Sequence, residues 1–152
     1  MEIVAADPHA RVLSESEVQA LLREPILMRL GMVDGKGWPL VNPVWHVFED
    51  GVFRLIVGTD SAKATRLRVD RRAYFTVDTG AASGTARGVR GRATARVIDG
   101  NVDLVVDVCR NELVKYTGSD TGPHAEELLK WASSGEMSVV ELTPQRFAAF
   151  GY

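Results

Sequence analysis

The sequence predicts a mainly β protein, a small antiparallel barrel with helices attached. Three observations lead there. Short stretches of alternating apolar residues are separated by strong turn signals, a helical stretch interrupts them after the third strand, and the βαβ alternation of a parallel doubly wound sheet is absent. At 152 residues the chain has the length of one domain spanning 1–152.

The first element begins at Ser14, where Ser14 and Glu17 have capping-box spacing and Val18, Leu21 and Leu22 supply an apolar stripe that Pro25 ends. Ile26 to Val33 reads as a strand, Asp34-Gly35-Lys36-Gly37 as a turn, and Leu40 to Phe48 as the partner strand. Glu49-Asp50-Gly51 makes a second turn. Val52 to Val57 follows as a third antiparallel strand, with Phe53, Leu55 and Val57 on one face. From Asp60 to Val69 the period changes to helical, with Asp60 or Ser61 as cap and Ala64 and Leu67 turned inward.

Ala73, Phe75 and Val77 then alternate with polar neighbours as a strand, and Gly80-Ala81-Ala82-Ser83-Gly84 reads as a loop. Val89, Gly91, Ala93, Ala95 and Val97 form the inner face of a long strand whose outer face carries Arg90, Arg92, Thr94 and Arg96. Glycine and alanine on an inner face imply a bulky neighbour or a close backbone approach. Asn101 caps a helix to about Tyr116 with Val102, Val105, Val106, Cys109 and Leu113 as its stripe. A second helix starts at Pro123, presents Leu128, Leu129 and Trp131, and stops at Gly135. Two closing strands, Met137 to Leu142 and Arg146 to Phe150, are broken by Thr143-Pro144.

Composition narrows the function. A formal charge of -2 disfavours a general nucleic-acid binder, although Lys63, Arg66, Arg68, Arg71 and Arg72 make one cationic cluster and Arg87, Arg90, Arg92 and Arg96 another. No stretch reaches the ~18 apolar residues of a membrane span, and no apolar leader is present, so the expectation is a cytoplasmic protein. Cys109 is the single cysteine and reads as a buried helix residue, which leaves no disulfide framework and no thiolate cluster. His9, His46 and His124 are dispersed, so no metal site is expected. Walker and dinucleotide loops, the His-Glu-x-x-His helix and the Gly-x-Ser-x-Gly elbow are all missing.

Two segments carry chemistry. In Val57-Gly58-Thr59-Asp60-Ser61-Ala62-Lys63 a strand runs into the start of a helix, where free N–H groups, the Ser61 hydroxyl and the Lys63 ammonium suit a phosphate. In Leu40-Val41-Asn42-Pro43-Val44-Trp45-His46 a proline within a strand marks an edge or bulge, where backbone groups or Trp45 meet a flat ring.

Together these segments resemble a family. Asp34-Gly35, Trp38-Pro39, Asn42-Pro43-Val44-Trp45, Ser61-Ala62-Lys63-Ala64, Leu67, Asp70, Gly88-Val89-Arg90-Gly91-Arg92-Ala93, Tyr116-Thr117-Gly118 and Leu142-Thr143-Pro144-Gln145-Arg146-Phe147 are similar, in order and spacing, to the small members of the pyridoxamine 5'-phosphate oxidase-like superfamily. That resemblance implies a six- to seven-stranded antiparallel split β-barrel with peripheral helices, a homodimer, and FMN or the deazaflavin coenzyme F420 as cofactor. It places the cofactor phosphate on Ser61 and Lys63 and the ring against Asn42, Pro43, Val44 and Trp45, with Ile56 and Val57 at the end of the third strand. Arg66 or Arg68 stands in for a missing phosphate cation, and Arg87 approaches from the later strand or across the dimer.

Two departures are visible: Ala62 stands where the oxidase proper commonly has arginine, and Arg66 where small relatives often have asparagine. The oxidase's C-terminal substrate signature is missing as well, which argues against vitamin B6 oxidation. The implied activity is hydride transfer to or from a small conjugated substrate such as a quinone, enone or tetrapyrrole. The alternative is a carrier or sensor that uses the same groove without turnover. His46, Tyr74 and water are the candidate proton donors, and no catalytic residue is assigned. Arg66, Arg68, Arg71 and Arg72 would suit the polyglutamate tail of F420, whereas FMN needs only the phosphate site.

Overall fold

The computed structural model describes residues 1–80 and 85–152. The glycine-rich loop read at 80–84 therefore lies outside the described residues except for Gly80. The elements are β1 (Ile3–Ala5), α1 (Glu15–Arg23), β2 (Met28–Val33), β3 (Pro39–Val44), β4 (Val47–Glu49), β5 (Val52–Gly58), α2 (Ala62–Val69), β6 (Arg72–Asp78), β7 (Arg87–Ile98), α3 (Val102–Thr117), α4 (Pro123–Ala132), β8 (Met137–Pro144) and β9 (Phe147–Gly151). Strands pair in the order β3-β2-β6-β7-β8-β5-β4, antiparallel throughout, and curl into a split barrel with helices around it.

Local chemistry sets most boundaries. Ser14 and Glu17 close the capping box of α1 from both sides. The turn after β4 places Asp50 at φ 52° and Gly51 at φ 81°, the left-handed pair that a two-residue hairpin demands. Ser61, rather than Asp60, caps α2.

Several expected elements differ. The long strand read from Leu40 to Phe48 is two strands: β3 pairs with β2, the chain breaks at Trp45-His46, and β4 pairs with β5. β1 was not expected. It pairs in parallel with β9 because Ile3 lies opposite Phe147. Thr143 and Pro144 belong to β8, and the break comes after them at Gln145-Arg146. There β8 and β9 lie end to end along β7, Ala93–Ile98 pairing with β8 and Arg87–Arg90 with β9. On α3 the buried positions are Val105, Val108, Cys109, Glu112 and Leu113, so Val108 replaces Val106 and Val102 is exposed. On α4 Ala125 and Ala132 are buried and Trp131 faces outward.

Two apolar clusters result. One fills the barrel around Phe53, Phe75 and Phe147, with Leu30, Val57, Ala64 and Leu67. The other lies between the barrel wall and α3 and α4, and Trp45 and Ile56 pack against it.

Candidate functional site

The start of α2 carries several uncommitted donors. Ser61 Oγ accepts from Ala64 N–H at 3.2 Å, which uses a lone pair and leaves the hydroxyl proton uncommitted. The first-turn N–H groups have no intrahelical acceptor. Lys63 is half-buried and, among the described residues, has no ion-pair partner. Arg66 reaches Asp70 at 3.5 Å through Nη2, while its buried Nε has no partner.

The loop before the helix is held from behind. Arg68 donates to Thr59 O at 2.8 Å and to both oxygens of Asp99 at 2.7 and 3.2 Å. Ser138 Oγ donates to Asp99 and shares a hydrogen bond with Thr59 Oγ1 at 2.9 Å. The Arg68 contact, then that of Ser138, lowers the Asp99 carboxyl below its usual range. Arg68 is thus spent on the loop, and Arg72 on Asp70 at 2.7 Å. This corrects the expectation that both wait for an anionic tail.

β3 ends the sheet path, so among the described residues one edge of Asn42–Val44 has no strand partner. Pro43 is exposed on this edge, Asn42 and Val44 are half-buried, and Val44 packs on the barrel core. Trp45 lies parallel to the Tyr116 ring, with centroids 4.9 Å apart and planes at 7°. Ile56 joins Trp45 on the second cluster, while Val57 is buried in the first beside Ala64 and Leu67. Arg87 is elsewhere. It starts β7, bonds to Glu24 at 2.5 Å, and lines a hollow of about 610 Å³ with Pro25, Ile26 and Asp78. Neither Ser61 nor Lys63 lines that hollow, so the single chain does not bring Arg87 to them.

His46 does not serve as a proton donor to a ligand. It is fully buried, with Nε2 3.0 Å from Lys115 Nζ and Nδ1 3.0 Å from Tyr116 Oη. A lysine ammonium only donates, so Nε2 accepts and Nδ1 carries the proton toward Tyr116, whose own proton goes to Ile26 O at 2.9 Å. Burial first, and then Lys115, drives the imidazole pKa down to about 3. Tyr74, the other candidate, stands 45% exposed on the outer sheet face.

Glu112 escaped the sequence reading altogether. The available signal was a polar residue inside the apolar stripe of α3, at spacing i, i+3, i+4 with Lys115 and Tyr116. It is buried, its Oε1 has no partner among the described residues, and burial raises its pKa to about 8. A carboxyl whose pKa is raised by folding contributes stability below the ordinary value of 4.5 that is lost as pH rises to about 8. Lys115, lowered from 10.5 to about 8 chiefly by burial, changes stability mainly between pH 8 and 10.5, and its contribution at pH 8 is common to both proteins. Glu112→Gln is therefore expected to lose less stability between pH 5 and pH 8 than the native chain, by on the order of 2 kcal/mol. Urea midpoints at the two pH values check this, and parallel profiles would refute it.

The outer face of β3-β2-β6-β7 is hollowed into a groove of about 790 Å³. The register places Val41, Gly31, Tyr74 and Arg92 in one row, with Arg29 and Arg72 on either side. Gly31 leaves the floor open, and a Cβ there would meet the Tyr74 carbonyl oxygen at 3.4 Å. Arg29 is paired with Asp78 at 2.7 Å and Arg96 with Glu141 at 2.9 Å, so much of the arginine charge is neutralised locally. No helix among the described residues is long and apolar enough to cross a membrane. The described residues also hold no group of three or more His, Cys, Asp or Glu side chains placed to bind a metal.

The mainly antiparallel split barrel with peripheral helices is the fold of a class of cofactor-binding proteins. The family model for pyridoxamine 5'-phosphate oxidase matches residues 14–150, and the chain belongs to that family. Among solved structures it is similar to a conserved hypothetical protein, Rv2991, from Mycobacterium tuberculosis, with TM-score 0.81, 22% identity, and coverage of 95% of this chain and 88% of that one. It also resembles an F420 reductase, with TM-score 0.63, 19% identity, and coverage of 89% and 98%. HutZ, a heme storage protein from Vibrio cholerae, aligns with TM-score 0.66, 15% identity, and coverage of 86% and 89%. No curated protein sequence matches the chain.

Proposed function

We propose that this protein is a flavin-type oxidoreductase that holds FMN or F420 between the start of α2 and the β3 edge, and transfers hydride to or from a small conjugated substrate. The observation that carries this reading is the set of uncommitted donors at one helix start: the Ser61 proton, the unpaired Lys63 ammonium and the partnerless Arg66 Nε. These donors fit a phosphate, a group that both cofactors carry. Ser61 and Lys63 bind it, Arg66 adds charge, and the thin edge from Asn42 to Trp45, with Ile56 and Val57, receives the ring. When bound, the cofactor supplies the hydride chemistry. The chain's part is to orient the ring, exclude water and hold the phosphate. With Arg68 and Arg72 engaged elsewhere and Arg66 reaching Asp70 only at 3.5 Å, Arg71 and the Arg66 Nε are what this arginine cluster offers an acidic tail.

Titration of the purified protein with FMN and with F420, followed by absorbance and fluorescence, tests the reading. Micromolar or tighter binding of one of them is expected. Binding of neither overturns the assignment. A carrier or sensor is the rival, since one structural neighbour is named a heme storage protein. Consumption of reduced cofactor with a quinone and enone panel separates the two, because a carrier binds without turnover.

A homodimer belongs to the same reading. Trp38, Val41 and Tyr74 are 70%, 65% and 45% exposed on or beside the outer face of β3-β2-β6-β7, three large apolar side chains on one side of the sheet. A second copy on this face would cover them and could bring its Arg87 toward the cofactor. Sedimentation should give twice the chain mass of 16.6 kDa, and a monomer at micromolar concentration would refute the dimer.

A further inference from the structure

We infer that Lys115, His46 and Tyr116 form a two-state proton chain, in which loss of one proton from Lys115 moves the His46 imidazole to its other tautomer and releases Tyr116 from the Ile26 carbonyl. The inference stands apart from which cofactor the protein holds.

The first state follows from donors and acceptors. Lys115 Nζ on α3 meets three acceptors: Leu22 O of α1 at 2.8 Å, His46 O at 2.9 Å and His46 Nε2 at 3.0 Å. As an ammonium it gives each of them a proton. His46 Nδ1 then carries the imidazole proton and donates to Tyr116 Oη at 3.0 Å, and that hydroxyl donates to Ile26 O at 2.9 Å. Tyr116 Oη also accepts from His46 N–H at 3.3 Å. Every polar hydrogen of the three side chains has an acceptor in this arrangement.

Removing one proton from Lys115 breaks the match at one atom. A neutral amine has two protons and a lone pair, and the lone pair must face one of the three acceptors. Two of these are carbonyl oxygens, which cannot donate. The third is an imidazole nitrogen, which can: with its proton on Nε2, His46 donates to Lys115 and leaves Nδ1 bare. Nδ1 now faces the Tyr116 oxygen at 3.0 Å, so the hydroxyl turns its proton from Ile26 O to Nδ1. The net loss is one proton, and the imidazole and phenol both stay neutral.

Burial decides which group titrates. Burial and then Lys115 keep the imidazole neutral down to about pH 3, and burial raises the Tyr116 phenol above its usual range. Lys115 is lowered to about 8, burial outweighing the attraction of Glu112 one turn back on α3. Arg23 of α1 and Glu49 and Asp50 at the end of β4 line a hollow of about 550 Å³ with Lys115, and the proton leaves through it. Past the switch, α3 still holds Leu22 and His46 but lets go of Ile26, a residue beside Arg87 in the hollow described above.

Imidazole nitrogen NMR of histidine-labelled protein reads the tautomer directly, with His46 assigned through His9→Gln and His124→Gln at the two exposed histidines. His46 is expected in the Nδ1–H form at about pH 6 and in the Nε2–H form at about pH 10, with a midpoint near 8. The tautomer ratio should change about tenfold per pH unit, the slope of a one-proton step. Lys115→Arg keeps a permanent positive donor and should hold the Nδ1–H form throughout. Glu112→Gln should keep the conversion and move its midpoint to lower pH, because the carboxylate favours the ammonium. A single tautomer across the range in the native chain overturns the proposal. So does a conversion that survives in Lys115→Arg or vanishes in Glu112→Gln, since another group would then be titrating. If Lys115→Arg does not fold, the native titration and Glu112→Gln decide the question.

Discussion

Replacing Gly91 with valine is expected to abolish stable folding, and alanine at the same position to cost about 2–4 kcal/mol. Gly91 sits in β7 where that strand changes partner from β9 to β8. A Cβ there collides with the carbonyl oxygen of Arg146 and comes within 3.1 Å of the Phe75 ring. Neither neighbour can retreat. The Arg146 carbonyl belongs to the bend between β8 and β9, and Phe75 is packed against Phe53 at 4.9 Å and Phe147 at 5.5 Å. With a domain's total stability of roughly 5–15 kcal/mol, two further methyl groups exceed what the core can absorb. Gly35, where a Cβ meets nothing within 4 Å, is the control, and its alanine variant should be neutral. Urea denaturation measures both, and an alanine variant at Gly91 with the native midpoint would refute the argument.

Lys63→Glu is expected to weaken FMN or F420 binding by about a hundredfold while leaving the melting temperature unchanged. A charge-assisted hydrogen bond to phosphate contributes about 1.5–3 kcal/mol, and reversal adds repulsion beside the same group. Lys63 makes no ion pair among the described residues, so the fold loses nothing with it. Lys63→Met should fall between, near tenfold. Isothermal titration at two salt concentrations measures the effect, and equal affinity in native and Lys63→Glu proteins would remove the phosphate from α2.

The strands and helices that could be read were those whose signal is local. The capping box at Ser14 and Glu17, the alternation of Ala73, Phe75 and Val77, and the serine before α2 each act within a few residues, and each appears in the structure. The inner-face glycine and alanine of β7 announced a bulky neighbour, and Phe75 and the Arg146 carbonyl are that neighbour. The break at Trp45-His46 was hidden because Leu40 to Phe48 is apolar enough to be one strand. What ends it is a contact seventy residues away with Tyr116.

The candidate site divides in the same way. The Ser61 cap and the Asn42–Val44 edge were legible because helix starts and edge prolines have recognisable residues. The fates of the arginines were not. Arg68 is taken by Asp99, thirty-one residues on, and Arg87 by Glu24, sixty-three residues back, pairings that only closure of the sheet creates.

Sequence alone determined the mainly β class, most element types and the serine-capped start of α2, since periodicity, capping and turn chemistry are properties of neighbouring residues. Tertiary structure alone decided which cations are paired, and that His46 is buried, neutral and held by Lys115 and Tyr116 of α3. Those outcomes depend on burial and on partners from distant segments, and a charge or an imidazole has no fixed role until its surroundings are assembled.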